Sequence, residues 1–436
     1  MFLLWLCLLS IAAPIYGQFV IPKLIIEAFQ PAGFRVALDE TPGVQMFAFH
    51  GSINQELMLN QPGDFSGEIL KPSKDGRFVY DNPDLRLKVG DTVYYWIYIQ
   101  HDGLGFRLDN QTWRVTALRS KNELVCKASA TVVSNRKSVC SGQVIFEDDF
   151  SGNSLNTNKW LLEQYIPTQP DYEFNIYVND SSVTSIHDNR LTIRPKIRNE
   201  DLKEEWLDLS DGCTRIPSRR AKCRNKLYML HHPIASARLV SKVNFLYGEV
   251  EVRARLPSGD WMYPEIYLED ENNQKLIIAY ARGNTVLLGN DASNDLGGTL
   301  LFGGPIVNDR EPERSSHLSS YKTPTPLSYN FHTYKLKWTA EKLELYLNDN
   351  KYGSIGQEVL KSTGFSSDPL KVHLVLGVGV GGITDFPDGF KGNYDKPWKN
   401  SEINQVKKFY ENRSKWEPSW FYGGELLVDY VKITAI

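Results

Sequence analysis

Glu265 and Glu269, in the run PEIYLE, are the carboxylates whose spacing first suggests chemistry. Side chains on a strand alternate sides, so positions i and i+4 face the same way. Two acids on one face are what glycoside cleavage requires, one to attack the anomeric carbon and one to protonate the leaving oxygen. Other catalytic signatures fail on inspection. Gly377, Gly379 and Gly382 fit GxGxxG after an apolar strand, but ITDFPDGF follows, with a proline and no helix to receive a phosphate, so a sheet bend is expected. His231 and His232 are adjacent, point to opposite faces of a strand and cannot chelate together. They read as packing or turn residues. No GxSxG elbow occurs, which leaves serine hydrolysis without an anchor.

Composition describes the scaffold that must hold such residues. At 436 residues the chain has room for two or three domains with proper cores. Aromatic residues at 12%, with 32 Gly and 22 Pro, favour many short strands and tight turns, and an all-β protein is expected. A net charge of -3, from 49 basic and 52 acidic residues, argues against a nucleic-acid or anionic-membrane partner held by bulk electrostatics. A neutral ligand fits better.

Residues 1–17, MFLLWLCLLSIAAPIYG, form an apolar run ending in small or turn-forming residues, too short for a membrane span of ~20 residues. They read as a signal peptide, although no Lys or Arg precedes Lys23. Cleavage near Gly17 would remove Cys7 and leave Cys126, Cys140, Cys213 and Cys223, which should pair in an oxidising compartment. Proximity favours Cys126 with Cys140 and Cys213 with Cys223, though three connectivities are open. None sits in a CxxC, so zinc is not expected, and no convincing ligand set for calcium or any other cofactor appears. Asn110, Asn179 and Asn412 each begin an Asn-x-Ser/Thr triplet, consistent with glycosylation on exposed loops.

From residue 18 to 118, runs of β-branched and aromatic residues alternate with turn signals such as PAG, TPG, KDG and HDGLG, which suggests an immunoglobulin-like sandwich. In YYWIY, Tyr94, Trp96 and Tyr98 share one face while Tyr95 and Ile97 take the other, and one of the two must be core. Residues 119–141 are polar and irregular, with a cysteine near each end, and read as a disulfide-closed linker. From 142 to 436 longer alternating strands, among them NRLTIRPKI and YKLKWTAEKLELYLND, indicate one large antiparallel sandwich. The charged cluster at 199–226 reads as a solvated insertion pinned by Cys213 and Cys223.

Several segments of this second domain carry a resemblance. FEDDFSGNSLNTNKW, SARLVSKVNFLYGEVEVRARLPSGDW, FPDGFKGNYDKPWKN and RSKWEPSWFYGGELLVDYVKI resemble, in order, glycoside hydrolase family 16, in the arthropod branch of the β-1,3-glucan recognition or Gram-negative bacteria-binding proteins. The resemblance implies a concanavalin-like jelly roll with a sugar cleft across one sheet. Active members carry Glu-x-Asp-x-x-Glu just before an Arg-Gly-Asn. Anchoring on Arg282, Gly283 and Asn284 places Lys275, Ile277 and Tyr280 at the three acid positions, and an amine, an alkyl group and a phenol do not supply a retaining displacement. The segment before them is shortened, which implies a remodelled cleft wall. Trp261 and Pro264 fit the family's Trp-x-x-Pro stretch upstream of the acids, so Glu265 and Glu269 are expected to be solvent-facing or loop carboxylates. A glucanase using that pair is the alternative.

Residues 19–118 resemble the N-terminal glucan-binding domain of the same proteins, carbohydrate-binding module family 39, through FVIPKLIIEAFQPAGFRV, MFAFHGSIN, DTVYYWIYIQHDGLGFR and TWRV. The resemblance implies that Trp96 with Arg107 belongs to the polysaccharide site, and that Asp64 and Glu68 are its acidic pair, with Glu68 standing where the family often has Asp. An ordinary surface ion pair between Arg107 and Asp64 is the plainer reading. The whole implies a secreted, extracellular, non-catalytic recognition protein of innate immunity. Its expected ligands are β-1,3-glucan, then lipopolysaccharide, lipoteichoic acid or peptidoglycan, and downstream serine proteases are its expected partners. A scaffold contacting only proteins is a third reading.

Overall fold

The computed structural model describes residues 19–73, 76–120, 126–134, 138–218, 220–289, 294–306, 311–365 and 371–436, so the expected signal peptide lies outside the described residues. Strands dominate, as the turn-rich composition requires, and the chain divides into two compact units, Met1–Cys126 and Lys127–Ile436.

The first unit is an immunoglobulin-like sandwich of two four-stranded sheets. One runs Arg77–Asn82, Phe34–Asp39, Ile25–Gln30, Arg119–Ser120, and the other Phe65–Ile69, Val44–Ile53, Thr92–His101, Leu104–Arg114. Val93, Tyr95, Ile97 and Ile99 are buried with Phe34, Phe47 and Phe49 between the sheets. The Tyr95 and Ile97 face is therefore core, and Tyr94, Trp96 and Tyr98 stand half-buried on the outer face. Asp102 and Gly103, at φ 48° and 77°, form the two-residue turn that the right-handed strand twist favours. That turn sets the register in which Tyr98 opposes Arg107.

The second unit is a concanavalin-like jelly roll. Its outer sheet orders Thr184–His187, Arg190–Ile193, Leu426–Thr434, Gly248–Arg255, His332–Trp338, Lys342–Leu347 and Asn350–Gly356. Its second sheet orders Trp160–Leu162, Arg238–Ser241, Val372–Val380, Met262–Asp270, Lys275–Tyr280, Leu300–Pro305 and Ser319–Lys322. Burial separates them. Gly248–Arg255 alternates strictly, one face inward and one toward solvent. Met262–Asp270 is buried at every residue, so loops cover the side turned away from the core.

Three expectations change here. The stretch 119–141, read as irregular, carries regular pairing in its described parts. Arg119–Ser120 adds a parallel strand beside Ile25–Gln30, while Val132–Val133 pairs with Phe245–Leu246 and the Ala130 amide donates to Ile436 O at 2.8 Å. Exposed sheet edges recruited these backbone groups. Cys213 and Cys223 are bonded to each other, with Cα atoms 5.7 Å apart, and Cys126 and Cys140 are also disulfide-bonded. Their insertion is not wholly solvated, because Leu202 and Leu207 are buried and Arg215 turns inward. Asn110 and Asn179 are exposed, but Asn412 is half-buried between two short helices and its Nδ2 donates to Lys408 O at 2.9 Å.

The glycine run also has a structural reason. Gly381 and Gly382, at φ 68° and 93°, end the Val372–Val380 strand, where the loop carrying Asp171 packs so closely that a Cβ on Gly382 would lie 2.6 Å from Asp171 O. Among the described residues no helix is long and apolar enough to cross a membrane.

Candidate functional site

On the outer face of the first unit, three side chains from adjacent strands form a stack. The rings of His50 and Trp96, cross-strand partners, lie 3.7 Å apart and 7° from parallel. Arg107 Cζ, from the opposite neighbouring strand, sits 4.0 Å from the Trp96 ring centroid. Both π faces of the indole are thus covered, and it is no open platform for a sugar ring. Trp96 Nε1 donates to Gln61 O at 2.8 Å, Arg107 Nη1 to Asn60 Oδ1 at 2.8 Å, and Arg107 Nε to Asp109 Oδ1 at 2.7 Å. The loop above the stack exposes Met58 and Leu59 as an apolar rim.

Asp64 and Glu68 belong to the other edge of the same face. Asp64 is exposed and accepts from Ser52 Oγ, which anchors the loop leading into Phe65–Ile69. Glu68 is exposed and opposes Ala48. Two strand spacings, roughly 10 Å, separate this edge from Trp96. No ion pair joins Arg107 to Asp64, because Asp109 takes the guanidinium instead. The sequence reading missed His50, Asn60, Gln61 and Asp109. His50 could have been found, since the alternation in FAFHG puts it on the outer face once Phe47 and Phe49 are assigned to the core.

In the second unit Lys275, Ile277 and Tyr280 line a cleft over the second sheet, opposite Tyr263, Glu265 and Tyr267 of the neighbouring strand. The expectation that Glu265 and Glu269 face solvent is overturned. They are 3% and 8% exposed, and Arg238, itself 1% exposed, explains how. Its Nη2 reaches Glu269 Oε2 at 2.5 Å, its Nε lies 3.9 Å from Glu265 Oε1, and its Nη1 binds Glu163. Arg215, from the disulfide-closed loop, adds contacts to Glu163 at 2.5 Å and Glu269 at 2.9 Å.

Charge decides what these acids can do. Burial opposes ionisation of Glu269, but Arg238 and Arg215 outweigh it and bring its pKa to about 2. Burial raises Glu265 despite Arg238 and Lys275. One guanidinium, that of Arg238, thus contacts both carboxylates.

Asp171 closes the cleft from above. It accepts from Arg314 Nη2 at 2.9 Å, from Lys275 Nζ at 3.4 Å and from Thr384 Oγ1, so three cleft walls meet on one carboxylate. Burial works against its charge, yet Arg314 and Lys275 hold the carboxyl well below its usual range. Lys275 is likewise buried against its charge, and Tyr267, Asp171, Glu265 and Glu269 keep its ammonium on. The tie divides the cleft into a chamber of about 250 Å³ and a polar hollow of about 40 Å³ toward Arg215.

Comparison with known proteins gives the chain a class. A family model described as Carbohydrate binding domain (family 32), CBM39, matches residues 20–131. The chain is 33% identical to the β-1,3-glucan-binding protein of Tenebrio molitor, over 97% of each chain, and 31% identical to β-1,3-glucan-binding protein 1 of Galleria mellonella, over 95% of this chain and 96% of that one. Gram-negative bacteria-binding protein 3 of Drosophila melanogaster is 28% identical over 100% of this chain and 99% of its own. Among solved structures, the laminarinase from Rhodothermus marinus matches 68% of this chain and 98% of its own, at 19% identity and a TM-score of 0.44. The chain belongs to the β-1,3-glucan-binding protein family.

Proposed function

We propose that the protein is a secreted pattern-recognition protein of innate immunity that binds β-1,3-glucan through the outer face of its first unit and does not hydrolyse it. The observation that carries this reading is the His50, Trp96 and Arg107 stack, with Asp64 and Glu68 on the same face. A glucan offers apolar C–H faces and hydroxyl edges. The Met58 and Leu59 rim suits the first, and the guanidinium and carboxylates suit the second. Because both faces of Trp96 are covered, its part is to hold Arg107 and present its edge. Single contacts of this kind are weak, so affinity comes from a repeating polymer engaging many sites.

The second unit is the inactive partner in this reading. The three acid positions hold Lys275, Ile277 and Tyr280, and the neighbouring acids are neutralised by Arg238. Lipopolysaccharide, lipoteichoic acid and peptidoglycan are further candidate ligands, and serine proteases the downstream partners. The full chain incubated with soluble laminarin is expected to release no reducing ends, while being retained on insoluble curdlan. Reducing-sugar release that disappears in Glu265→Gln or Glu269→Gln would overturn the non-catalytic reading.

A further inference from the structure

The larger chamber behind Asp171 is not built like a sugar trough. Its walls are Tyr263, Tyr280, Phe302, Ile306, Leu318 and Phe390, and two arginines, Arg282 and Arg314, border it. Arg314 is 8% exposed; its Nη2 is engaged by Asp171, and its Nε is buried without a partner among the described residues. Arg282 lies 5.4, 5.9 and 5.1 Å from the rings of Tyr280, Phe302 and Phe390, and its Nε donates to Asp385 O at 2.7 Å. Arg282 is half-buried, and its guanidinium borders the chamber. An unpaired buried donor is destabilising unless something supplies an acceptor, and a planar guanidinium fork suits a carboxylate or phosphate.

Lys275, Arg282 and Arg314 line the chamber together with Asp171, Glu265, Glu311 and Asp385, and Asp171 is tied to Lys275 and Arg314. A neutral glucan unit would find few free hydroxyl partners here, because the polar groups are tied to one another between apolar walls.

We propose that this chamber binds a small amphiphilic anion, an apolar chain or single ring bearing one carboxylate or phosphate, with its head at Arg282 and Arg314 and its body against the aromatic walls. The volume of about 250 Å³ falls below the ~300–1,000 Å³ of drug-sized pockets and suits a small ligand. The proposal goes beyond glucan adhesion and stands whether or not the first unit holds glucan.

Isothermal titration of the full chain with octanoate, octyl phosphate and 1-octanol tests it. At least one of the two anions is expected to bind saturably, at least about tenfold more tightly than the alcohol, and the tighter one identifies the preferred head. Arg282→Gln should weaken that binding by at least about tenfold and leave curdlan retention unchanged. Absence of saturable binding by either anion at low-millimolar concentration, equal binding of anion and alcohol, or undiminished affinity in Arg282→Gln would each overturn it. Should Arg282→Gln fail to fold, Leu318→Trp fills the chamber with both arginines in place. Loss of anion binding supports the site, and undiminished binding overturns it.

Discussion

Trp96→Ala is expected to lower retention on insoluble curdlan by at least about tenfold, the loss typical of truncating a central aromatic anchor. The indole is the middle layer of a three-layer stack, so its removal frees both His50 and Arg107 and takes away the donor that holds Gln61 O. The fold should survive, because Trp96 stands on the outer face and not among the buried residues between the two sheets. Depletion curves on curdlan, paired with thermal melts of the same preparations, separate adhesion from stability. Arg107→Lys keeps the charge but loses the planar group that lies on the ring, and should show an intermediate loss. Full curdlan retention by a folded Trp96→Ala variant would remove this face from the binding account.

Arg238→Met is expected to destabilise the protein by roughly 3–5 kcal/mol, the usual cost of removing one partner from a buried ionic cluster. Its guanidinium is the shared counter-charge of Glu163, Glu265 and Glu269, and it lies against the Tyr267 hydroxyl. Removing it leaves Glu163 and Glu269 to Arg215, and Glu265 with Lys275 as its neighbouring cation. The pH dependence follows from Glu269, whose folded pKa of about 2 lies below its ordinary 4.5. That contribution, roughly 3 kcal/mol, is fully present above the unfolded value and fades as pH falls from about 4.5 toward 2. Denaturant unfolding across this window should show wild-type stability declining with acid, and a shallower decline in Arg238→Met. Equal stability of the two proteins at neutral pH would show that the cluster contributes nothing.

The period-2 alternation of TVYYWIYIQ and the Asp102-Gly103 turn made the first unit's strands legible from sequence. Alternation alone could not say which face was core, because both faces carry aromatics. Only the packing of Phe34, Phe47 and Phe49 against Tyr95 and Ile97 decides it. In the second unit the absence of acids from KLIIAY could be read directly. The burial of Glu265 and Glu269 could not, since their counter-ion, Arg238, sits in SARLV, a segment with no charge pattern to announce it. Met262–Asp270 is covered on both sides, so the half-buried pattern that normally reveals orientation is missing. Asp171 was hidden for a similar reason. Its partners Lys275, Arg314 and Thr384 are more than a hundred residues away along the chain, and only the closed fold assembles them.

The tie between Lys275 and Asp171 makes the lysine hard to exchange for an acid. A carboxylate placed at 275 would not meet an open, water-filled trough. It would face Asp171, Glu173, Glu265 and Glu269 at close quarters with one cation fewer among them. Lys275 is thus a requirement of the architecture, and an acid at its position would come with a destabilised protein.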